Sequence, residues 1–232
     1  IKDIKNGLYL VSTPIGNLKD ITFRAIETLK KVKVIAAEDT RHSKRLLNHY
    51  GITTPLLSYY EYNKDLRIPK IIEIIKSGDS VSLITDAGTP AISDPAYKLV
   101  RSAIENKIKV ESVPGASAVL ASLVTSGLPT DRFIFEGFLP IKKGRKKRIE
   151  SMRDEIATII IYESPKRLIR TLRQLIEILG NRPAVVAREL TKIHEEYIRG
   201  TLKDLYDHFD QKTPKGECVV LIGKKDENVY FN

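Results

Sequence analysis

The chain has 232 residues, 42% of them hydrophobic and 29% charged, which excludes a disordered or low-complexity protein. Its single cysteine excludes a disulfide framework and any cysteine-rich zinc site within one chain, and no apolar run reaches the roughly 18 residues a membrane-spanning helix needs. Lys plus Arg number 39 against 29 for Asp plus Glu, a formal charge of +10 that points to an anionic partner. The first residues show no charged-then-apolar signal pattern, so a soluble, cytoplasmic protein in a reducing setting is expected.

Short β-branched runs alternate with amphipathic segments along the chain. Residues 8–13 predict a strand, and Asp20 then caps a helix carrying Ile21, Ala25, Ile26 and Leu29 at helical spacing. Residues 32–37 predict a strand, 40–50 a helix ended by Gly51, and 55–60 a further strand. A helix over 65–76 stops at Gly78, and a strand follows over 80–85. Asp94-Pro95 reads as a cap and first-turn pair opening a helix to about residue 106. A strand over 108–113 turns through Pro114-Gly115 into a helix around 119–124. Repeated strand-then-helix order argues an α/β fold with a mainly parallel sheet and helices on both faces.

The second half opens with a strand over 132–138, then Leu139-Pro140 and a basic tract. This composition shift places the domain boundary, giving an N-terminal domain over 1–138 and a C-terminal domain over 139–226. A helix over 145–154, a strand over 157–162, a helix over 165–179 and a strand over 184–189 follow. The segment 197–200, a helix over 201–209 and a strand over 217–222 close the domain. The tail 227–232 partly resembles a protease-site tag remnant and is set aside from fold reasoning.

Positive charge is clustered. Lys142, Lys143, Arg145, Lys146, Lys147 and Arg148 put six bases into seven positions. Arg41, His42, Lys44 and Arg45 form a second group, and Lys166, Arg167, Arg170 and Arg173 a third. Any one cluster is ordinarily a solvated face; three together favour a polyanion, and none adjoins an apolar face suited to a membrane surface.

The fingerprints of a dinucleotide-binding Rossmann domain, a P-loop and an α/β-hydrolase elbow are missing, and with four His and one Cys a metal site would have to be carboxylate-based. What remains is a set of small-residue loops after predicted strands: residues 12–17, 86–94 and 114–118. Gly and Pro suit any strand-to-helix turn, but three such loops on one predicted sheet edge form a pocket where open α/β sheets bind ligands. Tyr59, Tyr60 and Tyr62 offer rings for stacking an exposed base, the commoner role of such tyrosines being a half-buried strand.

Seven ordered blocks carry a resemblance. They are residues 8–18 (LYLVSTPIGNL), 37–41 (AEDTR), 85–95 (TDAGTPAISDP), 114–118 (PGASA), 135–140 (FEGFLP), 162–167 (YESPKR) and 187–192 (ARELTK) with His194-Glu195. Together they resemble the ribosomal RNA small subunit methyltransferase I family of the tetrapyrrole methylase superfamily. The resemblance implies two α/β domains with S-adenosylmethionine in the cleft between them. It further implies 2′-O-methylation of a cytidine ribose in the decoding region of small-subunit rRNA, and a homodimer.

Carried over residue by residue, the resemblance implies cofactor contacts at Pro14, at Gly88, Thr89, Pro90 and Ile92, and at Ser117 and Ala118. In the second domain it implies contacts near Tyr162, Ala187, Gly216 and Glu217. Candidates for assisting the hydroxyl are Asp39, Glu163, Lys166 and Glu189; each acid has a basic residue nearby and a salt-bridged structural role is an equal alternative. RNA-facing candidates are Arg41, Lys44, Arg45, Lys142, Lys143, Arg145, Lys146, Lys147, Arg148, Arg167 and Arg188. The chain departs from the family at Tyr60 and Tyr62, where His residues usually flank the Glu, at Lys166, usually His, and at Ala96, usually Gly. Competing readings are a methylase of a corrin or porphyrin precursor and a non-enzymatic RNA-binding assembly module.

Overall fold

The computed structural model describes residues 4–93, 96–211 and 214–224. The Asp94-Pro95 pair and the tail 227–232 lie outside the described residues. The chain divides into two compact units, residues 1–117 and 118–232.

In the first unit the strands are β1 (Gly7–Val11), β2 (Val34–Ala37), β3 (Leu56–Ser58), β4 (Ser80–Ile84) and β5 (Val110–Val113). They form one parallel sheet in the order β3-β2-β4-β1-β5. Alternate residues of each strand point to opposite faces, and both faces are covered. Tyr9, Val11, Ile35, Ala37 and Ile84 pack with Ala25 and Leu29 of α1 (Phe23–Lys31) and Leu47 of α2 (Thr40–His49). Leu8, Ala36, Val81 and Leu83 pack with Ile71, Ile72 and Ile75 of α3 (Lys64–Lys76) and Leu99 and Ala103 of α4 (Tyr97–Glu105). The connection after β1 therefore leaves for one face and that after β4 for the other. Because β1 and β4 are neighbours, their C-terminal ends flank a topological switch point.

The start of α1 differs from the sequence expectation. Asn17 caps a short 3-10 turn over Leu18–Asp20, and α1 begins later with the Thr22 hydroxyl accepting from the Ala25 N–H at 3.1 Å. Asp20 ends the turn instead of capping the helix. Thr22 followed by helix formers is the better cap because its hydroxyl reaches the N3 donor.

The second unit opens with α5 (Ala118–Ser126), then β6 (Phe133–Phe138), α6 (Arg145–Glu150), β7 (Thr158–Glu163), α7 (Pro165–Leu179), β8 (Pro183–Arg188), β9 (Glu196–Thr201), α8 (Leu202–Gln211) and β10 (Cys218–Ile222). The sheet runs β6-β7-β10-β8-β9; only β6 and β7 are parallel. Residues of α6, α7 and α8 pack on Ile159, Ile161, Val186 and Val220. On the other face α5 packs against β8 and β10. The division thus falls at 117/118 and not at the composition shift near 138. The reason is pairing: Phe133–Phe138 hydrogen-bonds to β7, so it belongs to the second sheet. A bulge between Phe135 and Gly137, with Gly137 at φ 62°, leaves Glu136 as the extra residue.

Candidate functional site

At the C-terminal edge of the first sheet three loops are tied into one structure. Thr13 and Gly88 form an antiparallel bridge: the Thr13 N–H donates to the Gly88 carbonyl at 2.9 Å and the Gly88 N–H returns to Thr13 at 3.1 Å. The Thr13 hydroxyl donates to the Thr85 carbonyl at 3.1 Å. The hydroxyls of Ser12 and Thr89 lie 3.1 Å apart, and Thr89 also donates to the Ala116 carbonyl at 3.3 Å. The Ser12 N–H continues the β5 ladder to the Val113 carbonyl at 3.1 Å.

Two glycines make this closeness feasible. Gly88 has φ +81°, a region that side chains disfavour. At Gly115 a Cβ would stand 2.9 Å from the Ser12 Cβ, so any larger residue would push the first and third loops apart. The structure therefore gathers Pro14, Gly88, Thr89, Pro90 and Ser117 at one edge, with the side chain of Ile92 half exposed on the same loop. Ala118 opens α5 in the second unit.

The charge at this edge is distinctive. Residues 12–17, 85–93 and 114–118 contain no Lys or Arg. The adjoining β2 turn supplies carboxylates: the Thr85 hydroxyl donates to Glu38 at 3.1 Å, and the Asp39 N–H donates to Asp86 at 3.2 Å. Hydroxyls, carbonyls and acids dominate, a lining suited to an uncharged or cationic ligand and unsuited to a phosphate. Ser12, Thr13 and Asp86 lie in the small-residue loops read as a pocket and Glu38 in the AEDTR block, though none is among the individual contacts that the resemblance implies. Their signal lay in the quoted blocks, as small hydroxyl and acidic residues immediately following strands.

Asp39 is the N-cap of α2. Its Oδ1 accepts from the Arg41 N–H at 2.8 Å and the His42 N–H at 3.3 Å, and the Arg41 guanidinium lies 3.4 Å from Oδ2. These bonds, the Arg41 backbone donor foremost, hold its carboxyl below the usual range. A depressed pKa makes a weak proton acceptor, so the cap is the role its geometry supports.

In the second unit, several residues with expected external roles are engaged internally. Glu163 has a fully buried side chain. Its Oε1 meets Arg167 at 2.6 Å and the Ser164 N–H at 2.8 Å; its Oε2 accepts from the Thr171 hydroxyl at 2.7 Å and lies 3.5 Å from Arg145. Enclosed and fully bonded, Glu163 has no access to an external hydroxyl. Arg145 is buried too, donating to Gln174, the Pro140 carbonyl and Thr171, so it does not face RNA. Arg167 joins the same node and is likewise removed from the RNA-facing set.

Arg188 closes on Glu196 at 2.8 Å and the Lys215 carbonyl at 2.8 Å, which removes it as well. Arg148 is partly neutralised by Glu136 at 2.5 Å. Lys142, Lys143, Lys146 and Lys147 remain exposed, as do Arg41, Lys44, Arg45 and, on the first turn of α7, Lys166.

Glu189 stands at φ 52° with its carboxylate over Gly216, where a Cβ would meet it at 2.2 Å. Its Oε1 accepts from Lys192 at 2.9 Å and from the Glu217 N–H at 3.0 Å; the Lys192 bond chiefly lowers its pKa. Gly216, at φ +80°, leaves the space that the Glu189 carboxylate occupies. Exposed Glu217 shares Lys192 at 3.1 Å. Ala187 is fully buried in β8, its backbone in register with Val219 and Tyr197, which makes it a sheet residue. Tyr162 is half buried against the rings of Phe135 and Phe138, centroids 4.8 and 5.6 Å away, and burial pushes its phenol up. No group of three or more His, Cys, Asp or Glu suited to a metal ion exists among the described residues.

Residues 7–206 match the family model described as Tetrapyrrole (Corrin/Porphyrin) Methylases. The chain is 50% identical over 229 residues to the ribosomal RNA small subunit methyltransferase I of Halalkalibacterium halodurans, covering 98% of this chain and 79% of that protein. This chain belongs to the ribosomal RNA small subunit methyltransferase I family, within the tetrapyrrole methylases. It is therefore a methyltransferase. The protein of that name from Thermotoga maritima is 47% identical over 219 residues, covering 94% of this chain and 99% of its own length. Among solved structures, a cobalt precorrin-4 methyltransferase superposes with TM-score 0.69 at 20% identity, covering 93% of this chain and 94% of its own. A diphthine synthase superposes with TM-score 0.71 at 16% identity, with 94% and 90% covered. At these identities the structural neighbours share the fold.

Proposed function

We propose that this enzyme methylates the 2′-hydroxyl of a cytidine ribose in the decoding region of small-subunit rRNA, with S-adenosylmethionine as donor. The observation that carries the reading is identity of about one half, over nearly the whole chain, to relatives named for methylating that RNA. S-adenosylmethionine, when bound, supplies a methyl group made electrophilic by a sulfonium. The first-unit edge fits such a cation. Its three loops carry no basic side chain, its glycines let carbonyls approach closely, and Glu38, Asp39 and Asp86 give it negative character. The residues proposed to hold the donor there are Pro14, Gly88, Thr89, Pro90, Ile92 and Ser117.

The acceptor side rests on charge. Lys142, Lys143, Lys146 and Lys147, with Arg41, Lys44 and Arg45, are exposed and suited to RNA phosphates. Recognition of a 2′-hydroxyl restricts the acceptor to RNA. Holding the ribose oxygen in a reactive alignment supplies roughly 7–11 kcal/mol of barrier lowering in favourable cases. Lys166, exposed on the first turn of α7, is the proposed electrostatic partner of the oxygen as the S–CH3 bond breaks, the O–CH3 bond forms and the hydroxyl proton passes to water. The working species is proposed to be a cytoplasmic homodimer acting on the small subunit or its rRNA.

Calorimetric titration with S-adenosylmethionine, followed by transfer of tritiated methyl to small subunits, free rRNA and a tetrapyrrole precursor, tests the reading. Saturable donor binding with label in rRNA is expected. Label in the tetrapyrrole alone, or RNA affinity with no transfer, overturns it in favour of a pigment methylase or a non-enzymatic assembly module.

A further inference from the structure

The turn between β3 and α3 carries three tyrosines with opposite fates. Tyr59 is buried at 2% exposure, whereas Tyr60 is 40% and Tyr62 92% exposed. The two exposed rings meet edge to face, centroids 6.3 Å apart and planes at 69°. A ring left almost wholly in water gains little from burial, so Tyr62 adds little to the core. The turn is nevertheless closely hydrogen-bonded. The Asn63 side chain accepts from the Tyr60 N–H at 2.8 Å and donates to the Ser58 carbonyl at 3.2 Å and hydroxyl at 3.1 Å. The Asn63 and Lys64 N–H groups both return to the Tyr60 carbonyl, and Lys64 pairs with Glu61. Leu66, one helical turn beyond Tyr62, is also 81% exposed.

Position supplies the second observation. β3 is the edge strand, so this turn stands at an open corner of the sheet. The parallel register pairs Ala37 with Ser58, and the Tyr59 N–H donates to the Ala37 carbonyl at 2.9 Å, so the turn leaves β3 beside the end of β2. The first turns of α2, with exposed Arg41, Lys44 and Arg45, start beside it. Exposed rings on a hydrogen-bonded turn next to exposed cations are the two elements of a single-stranded nucleic-acid surface: faces for bases and charges for phosphates.

We propose that Tyr60 and Tyr62 form a stacking platform for an unpaired RNA base, with Arg41, Lys44 and Arg45 gripping the adjoining phosphates. The inference rests on the rRNA reading above and adds the place where the first unit engages unpaired nucleotides. The test is titration of the full chain with a labelled single-stranded RNA from the target region and with a duplex of the same sequence. Tyr62→Ala is expected to weaken single-strand binding about 5- to 150-fold, the range for losing one base stack. Tyr62→Phe keeps the ring and retains affinity, and Tyr60→Ala with Tyr62→Ala loses more than either alone. The salt dependence is unchanged in the tyrosine variants but falls by about 0.7 in slope for Arg41→Ala. Donor affinity stays at the wild-type value in the tyrosine variants. Equal single-strand affinity in wild type and both alanine variants overturns the platform while the function stands. An equal loss on the duplex also overturns it. Wild type with no RNA affinity overturns both.

Discussion

Two strand-to-helix turns share one grammar and meet different ends. In the first unit, Glu38-Asp39-Thr40-Arg41 leads from β2 into α2; in the second, Glu163-Ser164-Pro165-Lys166-Arg167 leads from β7 into α7. Both place an acid at the turn and an arginine in the first helical turn. Asp39 bonds the helix N-terminus at a half-exposed position, and Arg41 is left almost entirely in solvent. Glu163 is enclosed, its carboxylate filled by Arg167, Arg145, Thr171 and a backbone donor. The difference teaches that burial, not the local order of charges, decides whether a basic residue can reach a partner. It also separates two strategies: the first edge is shaped by backbone, hydroxyls and glycine, whereas the second-unit turn is held by ions.

The largest effect expected from this contrast is on stability. Glu163→Ala strands Arg145 in a buried site and should cost about 3–5 kcal/mol, measured by denaturant unfolding of the full chain. Asp39→Ala should cost visibly less, because solvent can replace the lost cap. Equal losses would erase the distinction between the two turns.

A second way to sharpen it lies in the glycine-shaped edge. Gly115→Ala sets a Cβ 2.9 Å from the Ser12 Cβ and should cost roughly 1–3 kcal/mol by overpacking. Because displaced loops misalign reactants, methyl transfer should fall on the order of 100-fold. Single-turnover kinetics beside thermal unfolding would separate the two losses, and an unchanged rate would show that the trio does not position the reactants.

The smallest effect concerns Glu189. Its pKa is lowered mainly by Lys192, so the bond contributes stability above the ordinary carboxylate value of 4.5 and loses it as pH falls through the depressed folded value. Glu189→Gln should therefore flatten the stability–pH curve on the acid side below about pH 4.5 and leave the difference from wild type constant near neutrality. A variant whose curve parallels wild type in acid would show that the carboxylate is not ion-paired.

Much of the first unit was legible because its central strands β1, β2 and β4 are short apolar runs largely buried on both faces, and its helices show clear spacing such as Ile71, Ile72 and Ile75. The loop trio was legible as composition, though not the Thr13–Gly88 bridge that joins residues 75 apart. Arg145 and Arg188 looked RNA-facing because nothing in the local sequence reveals that Glu163 or Glu196 folds onto them, whereas the Glu163–Arg167 pair, four positions apart, was open as the salt-bridged alternative. The same blindness hid Gly216, whose glycine answers to the Glu189 side chain 27 positions earlier. The domain boundary was misplaced for a related reason, since the pairing of β6 with β7 is a long-range choice that composition does not record.

The central claim, methylation on a ribose oxygen of small-subunit rRNA, is tested most directly by alkaline hydrolysis of rRNA labelled by this enzyme with tritiated donor. Alkali cuts only beside a free 2′-hydroxyl, so the account predicts tritium in one alkali-resistant dinucleotide beginning with cytidine. Label released with mononucleotides, or none entering small-subunit rRNA, would contradict it.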